Sequence, residues 1–146
     1  MKTAVDASVL LDVLAADKQF GDASREALRS AYDSGALIAG DVVWAEVRAH
    51  FTNDDSFRGA MDLLGVVFDP IPSDAACLAG RLWRQSRKRG APRNRIVPDF
   101  LVGAHALYRA DALLSRDRGF YRRYFAELSV VDPSRDQHGD GSSPGA

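Results

Sequence analysis

Cysteine is almost missing: Cys77 is the single one in 146 residues, which excludes an internal disulfide and a thiolate zinc site. A reducing cytoplasm is the expected setting. Long apolar runs are lacking too, and none approaches the roughly 18 residues of a membrane span. Asp6 also interrupts the amino terminus before a signal-peptide core could form. Neither export by that route nor membrane insertion is expected. Lysine is confined to Lys2, Lys18 and Lys88, and the three histidines, His50, His105 and His138, share no ligand spacing. Net charge is only -1, so overall charge names no partner. What is present is ordinary for a globular chain: 46% hydrophobic and 27% charged residues, at a length that suits one compact domain.

Charge is unevenly distributed along the chain. Residues 1–80 carry six basic and 13 acidic side chains, and residues 81–146 carry 13 basic and seven acidic. A polyanion-binding face beside an acidic pocket would give this asymmetry. Strand and helix signals alternate, as in a parallel sheet covered on both faces, so the expected fold class is α/β. The expected strands are Thr3–Asp6, Ala36–Ala39, Val66–Phe68, Ala112–Leu114 and Leu128–Val131. Between them, Val9, Leu10, Val13 and Leu14 mark one helix, and Asp22 to Ser34 a second that stops at Gly35 as a left-handed cap. Val43, Trp44, Val47 and Phe51 stripe a third, and a fourth runs from Asp55 to Leu64. Ser73 opens a helix that turns Ala75, Leu78, Ala79 and Leu82 inward, and Pro98 suits the first turn of one striped by Phe100, Leu101, Ala104, Leu107 and Tyr108. A turn is expected between the last two strands. From Pro133 onward the Ser, Asp, Gly and Pro content reads as a flexible tail, 133–146, outside a domain of residues 1–132.

Ligands of an open parallel sheet collect beyond the carboxyl ends of its strands. Asp6 ends the first strand, Asp117 follows the fourth, Asp99 sits in the first turn after Pro98, and Glu46 lies on the edge of an apolar helix stripe. Singly, each has a plainer role as a cap, a turn residue, a dipole partner or a solvated side chain. Together they would repel one another, and a hard divalent cation, Mg²⁺ or Mn²⁺, is the occupant that keeps converging carboxylates charged.

Four segments carry these acids: Val5-Asp6-Ala7-Ser8-Val9-Leu10-Leu11, Ala45-Glu46-Val47, Pro98-Asp99-Phe100-Leu101-Val102-Gly103-Ala104-His105-Ala106 and Ser115-Arg116-Asp117-Arg118-Gly119-Phe120-Tyr121. In order and spacing they resemble the four acidic motifs of the PIN domain, and the likeness is greatest to VapC-type ribonuclease toxins of toxin–antitoxin pairs. It spans residues 2–132, and no acid is missing. The resemblance implies a three-layer α/β/α sandwich with about five parallel strands, cutting RNA with Mg²⁺ or Mn²⁺. By the same likeness Asp6, Glu46, Asp99 and Asp117 are the metal-binding and catalytic acids, and Ser8 and Ser115 stand where a small hydroxyl accompanies the site. It further implies a homodimer and a small antitoxin whose carboxy-terminal segment covers the groove.

The expected chemistry is hydrolysis of an RNA phosphodiester, the cation being held chiefly by Asp6 and Asp99. Ser8 either hydrogen-bonds an acid or serves as a helix-start hydroxyl. Arg81, Arg84, Arg87, Lys88, Arg89, Arg93 and Arg95 follow one another without an intervening acid, and Arg116 and Arg118 flank Asp117. Arg87, Arg89, Arg116 and Arg118 are the candidate RNA contacts, against the simpler reading of a solvated helix face and loop. Trp44, Trp83 and Cys77 are expected in the core. The rival readings are a receiver-like signalling module, which wants a lysine near the site, and a non-catalytic interaction protein of the same fold.

Overall fold

The computed structural model describes residues 1–88 and 97–136. Strand β1 (Lys2–Val5) leads into helices α1 (Ala7–Leu14) and α2 (Gly21–Ser34), and β2 (Ala36–Ala39) into α3 (Asp41–Arg48) and α4 (Asp54–Leu64). Then come β3 (Val66–Phe68), α5 (Ser73–Lys88) and α6 (Val97–Arg109), followed by β4 (Ala112–Leu114), α7 (Arg118–Tyr124), β5 (Val130–Val131) and the single turn α8 (Pro133–Asp136). All strands pair in parallel, in the order β3-β2-β1-β4-β5, with helices on both faces. The α/β fold with a five-stranded parallel sheet is therefore as expected.

The central strands are covered on both sides, which is why they read as continuous apolar runs rather than as alternating ones. Val5, Leu37, Ala39, Leu113 and Leu114 are each at most 1% exposed, and they meet Val9, Leu10, Val47, Met61, Phe100 and Tyr121 in one core. Trp44 and Trp83 pack against that core from its margin. The chain steps outward from β1 to β2 and β3, then crosses back to β4 on the other side of β1. The strand order thus reverses between β1 and β4, and the crevice beyond their carboxyl ends is the natural ligand position of such a sheet.

Several local expectations need correction. Gly35 ends α2, but at φ 157° and ψ -145°, not in the left-handed helical form. Met1 packs there, and a Cβ on Gly35 would stand 1.8 Å from the Met1 carbonyl oxygen. The expected turn before the last strand is the helix α7, since Tyr121 and Phe125 are buried and Phe120 and Tyr124 pack edge-on against Phe100. The last strand is only Val130–Val131. Pro133 is buried, and α8 packs on α2, so residues 133–136 contribute to the fold. The rest of the expected tail, 137–146, lies outside the described residues. Cys77 is exposed: two residues from Ala75, it falls on the opposite side of α5. Tyr108 is 47% exposed in the last turn of α6. Among the described residues, no helix is long and apolar enough to cross a membrane.

Candidate active site

Asp6 stands at the reversal of strand order. It leaves β1 with an extended backbone, φ -79° and ψ 152°, and becomes the N-cap of α1 by accepting from Ala7 N at 2.8 Å through Oδ1. Its main-chain N–H continues the β1–β4 ladder to the Leu114 carbonyl oxygen at 2.9 Å. Immediately after β4, the fully buried Ser115 donates its hydroxyl to Asp6 Oδ2 at 2.7 Å and accepts from Asp117 N at 3.0 Å. One hydroxyl therefore aims the first acid and fixes the loop that carries another.

Asp99 enters from the first turn of α6 and Glu46 from α3. Together with Asp6, Asp117, Ser8 and Arg116 they line one open cleft of about 430 Å³. Four chain segments thus bring their acids to one place. Burial raises the Asp6 carboxyl above its ordinary pKa, only partly opposed by Ser115 and Ala7. Burial again, then the charges of Asp6, Asp117 and Glu46, push Asp99 up to about 6, and Glu46 is raised by burial and by Asp6. Burial first, and then the like charges that face one another, favour the protonated carboxyls.

No three acidic, histidine or cysteine side chains among the described residues stand close enough to grip an ion by themselves. The donor set is nonetheless all oxygen, ringed by unneutralised carboxylates. That fits a hard divalent cation, bound by one or two carboxylates with water completing its shell.

The other expected residues divide. Ser115 bonds Asp6, whereas Ser8 Oγ is buried at the cleft without a hydrogen-bond partner. Arg116 lines the cleft, but its guanidinium is bound to Asp12 on α1. Arg118 is half-buried beside it in sequence, with Nε unpartnered. Arg87 is exposed on the last turn of α5, stacked 4.3 Å from the Trp83 ring centroid. Arg89 lies outside the described residues.

Sequence reasoning missed Tyr121 and Asp12. The Tyr121 ring is fully buried on α7, and its hydroxyl lies alongside Asp6 without a well-formed hydrogen bond. Burial and then the four acids hold its pKa far above the ordinary phenol value, so it stays a protonated donor. Its signal in the sequence was slight, one aromatic among several. Asp12 was more visible, as the single charge in a first helix that is otherwise uncharged and mostly apolar.

The sequence model of the PIN domain family matches residues 3–126, and the chain belongs to that family. Its fold is similar to a chain of VapBC2 from Rickettsia felis, solved bound to a DNA fragment from their promoter. Identity there is 13% over 90% of this chain and 98% of that one, with a TM-score of 0.68. VapBC-1 from nontypeable Haemophilus influenzae gives 17%, 92% and 99%, with 0.65. DNA-bound VapBC from Salmonella typhimurium gives 12%, 91% and 98%, with 0.66. No curated protein matches the sequence.

Proposed function

We propose that the protein is a Mg²⁺- or Mn²⁺-dependent endoribonuclease, the toxin of a toxin–antitoxin pair. The observation that carries this reading is the meeting of Asp6, Glu46, Asp99 and Asp117 in one cleft where the strand order reverses, with three of the four at raised pKa. PIN membership supports nuclease chemistry, and the VapBC names of the similar structures support an antitoxin partner. A homodimer and a cytoplasmic setting belong to the same reading.

Asp6 and Asp99 are the more enclosed acids and would hold the cation, with Asp117 and Glu46 at the open side completing the site. The bound ion supplies Lewis acidity toward an RNA phosphodiester and lowers the pKa of water. Ser115 keeps Asp6 aimed and partly offsets the cost of its charge, while Tyr121 remains a protonated donor beneath the acids. Glu46 and Asp117 are exposed enough to orient water and pass a proton to solvent. Arg116, Arg118, Arg87 and Arg89 are the cations offered to RNA, whose phosphates the acids alone would repel.

Incubating the purified chain with a panel of RNAs tests the reading. Cleavage is expected with Mg²⁺ or Mn²⁺ and none with EDTA; cleavage indifferent to chelation, or none of any RNA under any condition, overturns it. Ser115→Ala is expected to lower the cleavage rate roughly 10–100-fold, the usual cost of removing a group that orients a metal-binding side chain. A rate at the wild-type level would show that the Ser115 hydroxyl aims nothing.

A further inference from the structure

Asp12 is buried in the middle of α1 and is the one charge among its eight residues. A carboxylate removed from water needs partners. Ser24 Oγ donates to Oδ2 at 2.9 Å, and Arg116 donates through Nε to Oδ2 at 2.7 Å and through Nη2 to Oδ1 at 3.0 Å. The Phe20 ring completes the grip, its centroid 4.1 Å from the Arg116 Cζ.

Arg116 nevertheless belongs to the wall of the acidic cleft, with 29% of its side chain exposed. Two of the five N–H groups of its fork are spent on Asp12. Three remain for a ligand. A cation so near Asp6, Asp99 and Asp117 would be expected to fold onto them, yet its ion pair runs the other way, to Asp12.

We propose that Asp12 is a positioning residue: it restrains Arg116 from the cleft carboxylates and presents the outer N–H groups to an RNA phosphate beside the one that is cut. The proposal rests on the ribonuclease reading above. A planar fork held on one edge matches phosphate oxygens with its other edge. Because Asp12, Ser24 and Phe20 already order it, less rotamer freedom is lost when RNA binds.

The test uses Asp12→Asn, Arg116→Gln, their double variant and Phe20→Leu. Each is read by steady-state cleavage, by anisotropy of a fluorescent RNA in EDTA and by calorimetric Mn²⁺ titration. Arg116→Gln is expected to raise KM and weaken RNA binding about tenfold, the ratio that one charge-assisted hydrogen bond gives, with kcat and Mn²⁺ affinity little changed. Asp12→Asn keeps the side-chain shape and should weaken RNA binding similarly. It should also weaken Mn²⁺ binding several-fold, because the released cation competes for the acids, and the double variant should regain wild-type Mn²⁺ affinity. Phe20→Leu alters no charge and should shift KM in the same direction. Variants that lose thermal stability but keep wild-type KM and Mn²⁺ affinity in their folded fraction would make the pair purely structural and overturn the proposal. So would equal Mn²⁺ weakening in Asp12→Asn and the double variant. Wild-type protein that neither cuts RNA nor binds Mn²⁺ overturns the ribonuclease reading and this inference with it; wild-type cleavage with an unchanged KM in Arg116→Gln overturns this inference alone.

Discussion

Asp6→Asn is expected to cut RNA cleavage by about a thousandfold or more while leaving the protein folded and no less stable, since deleting one preorganised charge from such a site costs on the order of a thousandfold. The two halves of that expectation have one cause. Asp6 is 8% exposed, and burial of its charge outweighs the Ala7 and Ser115 hydrogen bonds, so the fold bears the cost of keeping it ionised. Asparagine has nearly the same shape and can still accept from Ala7 N. It also removes a negative charge that raises both Asp99 and Glu46. Catalytic sites commonly trade stability for function in this way. Gel assays on the same RNA, beside thermal unfolding at pH 7, give both readouts. Cleavage within tenfold of wild type would move the chemistry away from this cleft.

Free of divalent ions, the protein is expected to be more stable at pH 5 than at pH 7.5. Asp99 has a folded-state pKa of about 6 against an ordinary 3.8, so between those values the native state holds a proton that the unfolded chain has released. Stability therefore falls as pH rises through the window from about 4 to 6 and levels off above it. Discounted for the solvent that reaches Asp99, its share is about 1–2 kcal/mol. Asp6 and Glu46 act with the same sign. Asp69 acts oppositely, held at about 2 by hydrogen bonds from Arg109 and then His105. Its contribution is complete above the ordinary carboxylate value and is lost only below it, outside the comparison. Mg²⁺ or Mn²⁺ should stabilise the protein at pH 7.5 and much less at pH 5, where Asp99 carries a proton. Urea titrations at both pH values, with and without the ion, measure this. Stability that rises from pH 5 to 7.5 in EDTA, or an ion effect equal at both, would show that the carboxylates do not share one field.

α5 packs along α6, and only eight residues separate Lys88 from Val97. The last turn of α5 carries Arg87 and Lys88, and the first turn of α6 carries Asp99.

The sequence alone determined the alternation of elements and the parallel sheet and marked the four acids as candidates, because each rests on local information. Apolar runs, periodicity, caps and short motifs are all read within a few residues of one another. Asp6, Asp99 and Asp117 could be placed at strand ends and a helix start, and Glu46 on a helix stripe, without knowing any partner. Only the tertiary structure decided which side chains those acids meet. Ser115 reaches Asp6 across 109 residues and Arg116 reaches Asp12 across 104, so neither bond leaves a periodic trace. Expectation failed in two ways: the Ser8 hydroxyl has no partner, which only the packing could show, whereas Cys77 is turned outward because it lies opposite the Ala75 and Ala79 face that spacing had already marked as inward. Spacing tells which residues share a face, but the partner of a buried charge is chosen by how separate elements pack.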